Sequence, residues 1–281
     1  MPSLVLGTAQ WGLGYGVTNT HGRASDADIS EQAIVARAAG VSLLDTAAGY
    51  GDAQVRIRAL APDFSVTTKV AGADPDAVAD LVRGALAELG GDSVEAVLLH
   101  DWDALDATGQ RRAAVALEAV RETGLANHVG VSVYDEAGLT SALASFRRLD
   151  VVQLPANVLD RRLDGTPAIA AAREVGVRLQ VRSALLQGLL AAPSSHALSQ
   201  HPDVQAWFAY CADTGRNPIS AALAHVRALP WCDDVVVGVT SADELRDIVA
   251  AWQSLEPQLA PVTLATQDLA LIDPRRWKDM T

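Results

Sequence analysis

Leu4-Val5-Leu6-Gly7-Thr8-Ala9-Gln10-Trp11-Gly12-Leu13-Gly14-Tyr15-Gly16 is the stretch on which the choice of architecture turns. Its first three residues form a short apolar run that ends at glycine, the pattern of a strand covered on both faces. An open, doubly wound sheet built to hold a dinucleotide carries G-x-G-x-x-G directly after such a strand, where a helix begins. Here the glycines fall at 7, 12, 14 and 16. That spacing is wrong, and no helix is expected to open there.

Working outward, seven more runs of the same character follow: Val41–Leu44, Ser65–Thr68, Ala96–Leu99, Val129–Val133, Val151–Leu154, Arg178–Val181 and Val235–Val237. Helical patterns lie between them. Ser25–Gly40 has a capping serine at its start and a glycine just past its end. Pro75–Leu89 opens on a proline and places Val78, Leu81, Val82, Ala85 and Leu89 on one stripe. Further helices are expected at Thr108–Thr123, Asp135–Phe146, Pro167–Val175, Val204–Thr214, Ile219–Leu229 and Ser241–Ser254. Strands alternating with helices give a parallel sheet with crossover connections. Eight such units in about 250 residues match a closed (β/α)8 barrel. With no linker or composition break, one domain spanning residues 1–281 is expected.

Composition agrees. Of 281 residues 49% are hydrophobic, enough for a large core, and the net charge is −12. An acidic chain is a poor binder of nucleic acid or of an anionic membrane through bulk charge. No run of about 18 apolar residues predicts a membrane span. Cys211 and Cys232 make neither a disulfide framework nor a zinc pattern, and read as packing residues in a reducing cytoplasm.

In a barrel, chemistry sits where the C-terminal ends of the strands converge. In chain order those ends carry Gly7-Thr8, Asp45, Lys69, His100, Ser132, Gln153, Arg182 and Gly238. Asp, Lys and His therefore finish three successive strands.

These residues resemble the aldo-keto reductase family over essentially the whole chain, and the opening stretch is similar to a short bacterial subgroup of it. Leu43-Leu44-Asp45-Thr46-Ala47-Ala48-Gly49-Tyr50-Gly51 resembles the family's Leu-Asp-Thr-Ala-x-x-Tyr-Gly stretch. Thr68-Lys69 and Leu98-Leu99-His100 follow in the family's order. The resemblance implies a catalytic tetrad of Asp45, Tyr50, Lys69 and His100, acting in NAD(P)H-dependent reduction of an aldehyde, ketone or sugar-like carbonyl. The physical chemistry fits. Adding hydride to a carbonyl leaves an alkoxide that needs a proton. A phenol, with an unperturbed pKa of about 10, is a weak acid near neutrality unless a neighbouring ammonium favours its phenolate. Tyr50 is thus the expected proton donor and Lys69 the cation that tunes it. Asp45 is the expected partner of Lys69, and His100 the group that orients the carbonyl oxygen. The scheme calls for no metal.

For the cofactor, the resemblance implies Gly7 and Thr8 at the first strand end, and Ser132 and Gln153 on the nicotinamide carboxamide. Val133 stands where the family commonly has Asn. Arg182 takes the place of a stacking tyrosine, as a guanidinium plane can. Gly238, Thr240, Ser241 and Glu244 lie on the loop and helix start that would dock the adenosine phosphates. Ser241 and Glu244 also have capping-box spacing. Glu244 would repel a 2′-phosphate and accept from ribose hydroxyls, with Arg246 as a compensating cation. The resemblance implies NADP, with NAD as the alternative. Trp11 and Trp102 are expected to wall the substrate pocket, with Tyr15, Trp231 and Trp277 as further candidates. The expected partner is a small-molecule carbonyl or alcohol. Oligomeric state and substrate are not legible. Three other functions stay open: redox-neutral epimerisation of a sugar or secondary metabolite with bound NADP, a barrel lyase using Lys69 as a Schiff-base amine, and a binding or regulatory module that keeps nicotinamide as a sensor without turnover.

Overall fold

The computed structural model describes residues 1–72, 74–254 and 256–279. Eight parallel strands close into a barrel in chain order: β1 (Ser3–Gly7), β2 (Leu43–Asp45), β3 (Ser65–Val70), β4 (Val94–Leu99), β5 (Ala126–Ser132), β6 (Val151–Pro155), β7 (Arg178–Arg182) and β8 (Asp234–Gly238). Closure comes from β1 pairing with both β2 and β8, Gly7 standing opposite Asp45 on one side and Gly238 on the other. Every expected strand is present.

The helices are α1 (Ala9–Gly12), α2 (Asp26–Ala38), α3 (Ala53–Leu60), α4 (Val78–Leu89), α5 (Ala107–Glu122), α6 (Glu136–Ser145), α7 (Pro167–Glu174), α8 (Pro202–Asp213), α9 (Pro218–Arg227), α10 (Ala242–Ser254) and α11 (Leu269–Ile272). Ser25 caps α2 through a reciprocal capping box with Asp28. At the other end, Gly40 adopts φ +77°, and the Gly40 and Val41 amides donate to Arg37 and Ala36. This is a Schellman turn, so Val41 belongs to the helix end and β2 starts at Leu43 rather than Val41.

Two helices depart from the sequence reading. The single turn α1 opens directly after Thr8, where no helix was expected. The eight-residue α3 was also not expected, because its apolar stripe is interrupted by a buried arginine. Arg56 is 7% exposed, donates to the backbone of Ala24 at 2.8 Å and to that of Trp11, and pairs with Asp26. The Pro75–Ala77 segment is a 3₁₀ turn leading into α4.

The main core lies between the strands and the helix ring, with Leu6, Leu44, Val97, Leu99, Val131 and Val181 among its fully buried members. A second apolar cluster sits on the segment after β7 and the C-terminal segment, around Leu186, Leu190, Trp207 and Trp277. Cys211 joins the second cluster and Cys232 the main core, their thiols pushed up by burial to about 11 and about 12. Among the described residues no helix is long and apolar enough to cross a membrane.

Candidate active site

Side chains alternate along a strand, and Asp45 at the end of β2 and Lys69 on β3 both point into the barrel. They are 3% and 1% exposed, and the Lys69 ammonium donates to Asp45 Oδ1 at 2.6 Å and to the Thr46 carbonyl at 3.1 Å. The other Asp45 oxygen accepts from Gln153 Nε2 at 2.8 Å, which also donates to Gln180 Oε1 at 2.6 Å. Burial is the largest influence on Lys69 and works against its charge. Asp45 and the Tyr50 hydroxyl outweigh it, so the pKa lies above the usual lysine value. The amine is therefore charged at neutral pH, the opposite of what Schiff-base chemistry needs.

Tyr50 comes from the turn between β2 and α3. That turn is pinned by Ala48 donating to the Lys69 carbonyl at 2.9 Å and by Tyr50 donating to Ala47 at 3.0 Å. Gly12 packs against it so closely that a Cβ there would lie 1.7 Å from the Tyr50 carbonyl oxygen. The Lys69 ammonium stands 5.2 Å from the centre of the Tyr50 ring. His100 follows β4, its amide donating to Val70 at 2.8 Å, and its ring meets Tyr50 edge-on with centroids 6.1 Å apart. Burial, then the charges of Lys69 and Arg182, push His100 down to about 4. It is a neutral imidazole near pH 7. The four residues expected to form a tetrad thus meet at one mouth of the barrel.

A cavity of about 340 Å³ opens from Tyr50 and His100 and runs past Gly7, Thr8 and Gln153 to Gly238, Thr240, Glu244 and Asp247. Arg182 lines it, its guanidinium carbon over the Tyr134 ring at 4.0 Å from the centre and its Nη2 donating to the Val133 carbonyl. Arg275 also lies over the Tyr134 ring, 3.7 Å from its centre. Both Gln153 N–H groups are committed, so only its oxygen is free to meet a carboxamide. Beside Gly238, whose added Cβ would strike Gln10 at 2.4 Å, the buried Gln10 Oε1 has no hydrogen-bond donor. A cavity lined by an orphan acceptor, hydroxyls and amides, a guanidinium near the tetrad and two carboxylates on α10 offers donors and acceptors that fit a dinucleotide.

Several expected contacts lie elsewhere. Ser132 is buried at the end of β5 and does not line the cavity; nor does Ser241, whose hydroxyl caps α10 by accepting from the Glu244 amide. The capping box is only half formed, because the Glu244 carboxylate turns to Thr240. Trp11 and Trp102 are not pocket walls. Both are fully buried between helices, their indole N–H groups donating to Gln32 and Ser141. Trp231 and Trp277 are likewise packed, with N–H groups on Asp164 and on the Ala270 and Leu271 carbonyls. The aromatic walls are Tyr15 and Tyr134. The Tyr15 phenol is pushed up to about 12 by burial and by Tyr50, so its hydroxyl stays protonated. Gln10, Tyr134 and Asp247 carry no sequence signal that marks them as lining residues.

Comparison with known proteins places the chain. Residues 3–259 match the model of the Aldo/keto reductase family. An aldo-keto reductase of Mycolicibacterium vanbaalenii is 34% identical over 134 residues, covering 43% of this chain and 44% of that protein. The match thus spans less than half the length of that relative. Among solved structures, the holo form of an aldo-keto reductase from Bacillus halodurans superposes with a TM-score of 0.75 at 18% identity, covering 98% of this chain and 95% of that one. A Pseudomonas aeruginosa protein described as an aldo-keto reductase gives 0.68 at 23% identity, over 89% and 88% of the two chains. At these identities the structural matches speak for the fold.

Proposed function

The chain belongs to the aldo/keto reductase family, and from that premise we propose that it is an oxidoreductase reducing a small-molecule carbonyl to an alcohol with a nicotinamide dinucleotide. The observation that carries this reading is the buried Asp45–Lys69 pair lying directly behind Tyr50 and His100 at the cavity floor. When bound, the dinucleotide supplies the hydride. Gly7, Thr8, Gln153, Arg182, Gly238 and Glu244 would hold it, all being cavity residues.

As negative charge builds on the substrate oxygen, the Tyr50 hydroxyl gives up its proton to it. The Lys69 ammonium stabilises the charge left on the phenol oxygen, in surroundings dry enough for one cation to count. Asp45, steadied by Gln153, keeps that cation in place and balances its burial cost. His100, neutral at working pH, donates one ring N–H to the same substrate oxygen. The carbonyl is thereby fixed between two donors, which is what an alkoxide-forming step requires. Tyr15 and Tyr134 flank the remaining space, a surface suited to a partly apolar substrate.

The test is a panel of aldehydes, ketones and aldoses with NADH and NADPH, following loss of reduced dinucleotide and formation of alcohol together. Equal amounts of each support reduction. Substrate conversion without net dinucleotide consumption would replace it with a redox-neutral cycle. No turnover of any carbonyl, with the dinucleotide bound, would refute the reading.

A further inference from the structure

The far end of the cavity bears on which dinucleotide binds, an inference that rests on the reading above. Since the nicotinamide has to meet the carbonyl beside Tyr50 and His100, the adenosine ribose falls at the other end, where Thr240, Glu244, Asp247 and Ile248 line the wall. We propose that this end selects NADH over NADPH, with Glu244 as the specificity-determining residue and Asp247 as a second negative charge.

The groups on α10 make the argument. Glu244 Oε2 accepts from the Thr240 amide at 2.7 Å and from the Thr240 hydroxyl at 2.9 Å. A helix start of this kind usually offers its free N–H groups to an anion. Just ahead of that start, the chain's own carboxylate has taken the Thr240 amide, so this loop N–H is withdrawn from any incoming phosphate. Among the described residues Glu244 Oε1 makes no hydrogen bond. It is left as an acceptor, matched to a ribose hydroxyl and mismatched to a phosphate oxygen.

The neighbouring charges reinforce this. Asp247, one turn along α10, faces the same cavity. Arg246 is the nearest cation in sequence, but it is turned outward: Nη1 donates to Asp243 Oδ1 at 2.5 Å and Nη2 to Glu31. No lysine or arginine from β8 or α10 lines the cavity. Arg246 is thus not placed to offset Glu244, which is the ground for proposing NADH where the resemblance implies NADP. A 2′-phosphate would bring up to two negative charges toward two carboxylates with no lysine or arginine of β8 or α10 to receive it, whereas a 2′-hydroxyl brings a donor. The rim is open to solvent, so the discrimination is on the order of ten- to a hundredfold rather than absolute, and it weakens with salt.

The test titrates the full chain with NADH and with NADPH, following quenching of tryptophan fluorescence. AMP and adenosine 2′,5′-bisphosphate, which differ by the one phosphate, serve as competitors. The expected result is NADH at least tenfold tighter, AMP favoured over the bisphosphate in the same sense, and both ratios shrinking as ionic strength rises. Glu244→Gln should cut the ratio severalfold and Glu244→Arg should reverse it. Asp247→Asn, which leaves the Thr240 contacts untouched, should lower it even if the Glu244 variants disturb the loop. If both dinucleotides bind and NADPH is within twofold of NADH or tighter, this inference is wrong and the dinucleotide reading stands. If neither binds, both fall together.

Discussion

Asp45→Asn is the substitution whose consequence the structure determines most sharply, because it removes half of a fully buried ion pair while keeping shape. The Lys69 ammonium would remain 1% exposed with only the Thr46 carbonyl and the Tyr50 hydroxyl beside it. Breaking a buried pair from one side costs about 3–5 kcal/mol, since a charge is left without compensation. The sign of its pH dependence also changes. In the wild type the Lys69 pKa is raised on folding, so its contribution is complete below the unfolded value of about 10.4 and is lost only as pH climbs past it. In the variant, burial, the largest influence, is opposed only by Tyr50 and the Thr46 carbonyl. The folded pKa drops, and stability then rises with pH up to about 10, because the unfolded chain holds the extra proton. Urea unfolding followed by tryptophan fluorescence should show a much lower midpoint for Asp45→Asn at pH 7, recovering toward pH 9 or so. Adding Lys69→Met, which removes the stranded charge, should restore much of the loss and make the double variant more stable than Asp45→Asn alone. A single variant as stable as wild type at pH 7, or no recovery in the double variant, would refute the claim that this pair is a buried, mutually compensating unit.

Tyr50→Phe should lower carbonyl reduction about 10²- to 10⁴-fold with dinucleotide affinity unchanged; kinetics beside fluorescence titration checks both, and wild-type turnover would exclude Tyr50 as the acid. Gly12→Ala should displace the Tyr50 turn, because its Cβ would lie 1.7 Å from the Tyr50 carbonyl, whereas Gly14→Ala meets nothing closer than 3.7 Å and should be tolerated. Comparing turnover and urea midpoints of the two separates a positional effect from a general intolerance of bulk. His100 and His225 are held neutral in the fold, pushed from 6.5 to about 4 and about 3, chiefly by burial. The unfolded chain therefore binds more protons in the window below pH 6.5, and stability falls as pH drops through it, by roughly 3 kcal/mol for His100. His100→Gln and His225→Gln should each flatten the fall of the urea midpoint between pH 7 and about 4, and an unchanged slope would contradict these assignments.

Closed parallel topology explains why the tetrad could be read from sequence and the pocket walls could not. Once eight strands run the same way around a ring, every residue just past an apolar run lies at the same mouth, and the period of two fixes whether it points inward. That places Asp45, Lys69 and His100 at one mouth, while Tyr50 and the grouping of the four as a tetrad come from the resemblance of Leu43–Gly51 to the family's stretch. Trp11 and Trp102 also lie near that mouth in the chain, but position along the chain does not give direction. Each sits in a short helical turn that aims its indole between helices, toward partners at Gln32 and Ser141 that no local pattern announces. Ser132 stands at the expected strand end, paired in register with Gln153, but its side chain is buried there and does not line the cavity.

The charge at the α10 end of the cavity was legible in principle. Arg246 stands two residues from Glu244, and nearness in sequence suggested compensation. On a helix, however, residues two apart point to opposite sides, while residues three apart share a face. That rule alone puts Asp247 beside Glu244 and sends Arg246 away from both, which is what the structure shows. Helical phase, rather than the local tally of charges, decides the electrostatic character of that end of the cavity. Moving one arginine by a single position along α10, by Asp247→Arg with Arg246→Asp, should therefore turn the preference toward NADPH with the net charge of the chain unchanged. Dinucleotide titration of that swap, with no shift in the NADH to NADPH ratio, would show that phase is not what governs selection.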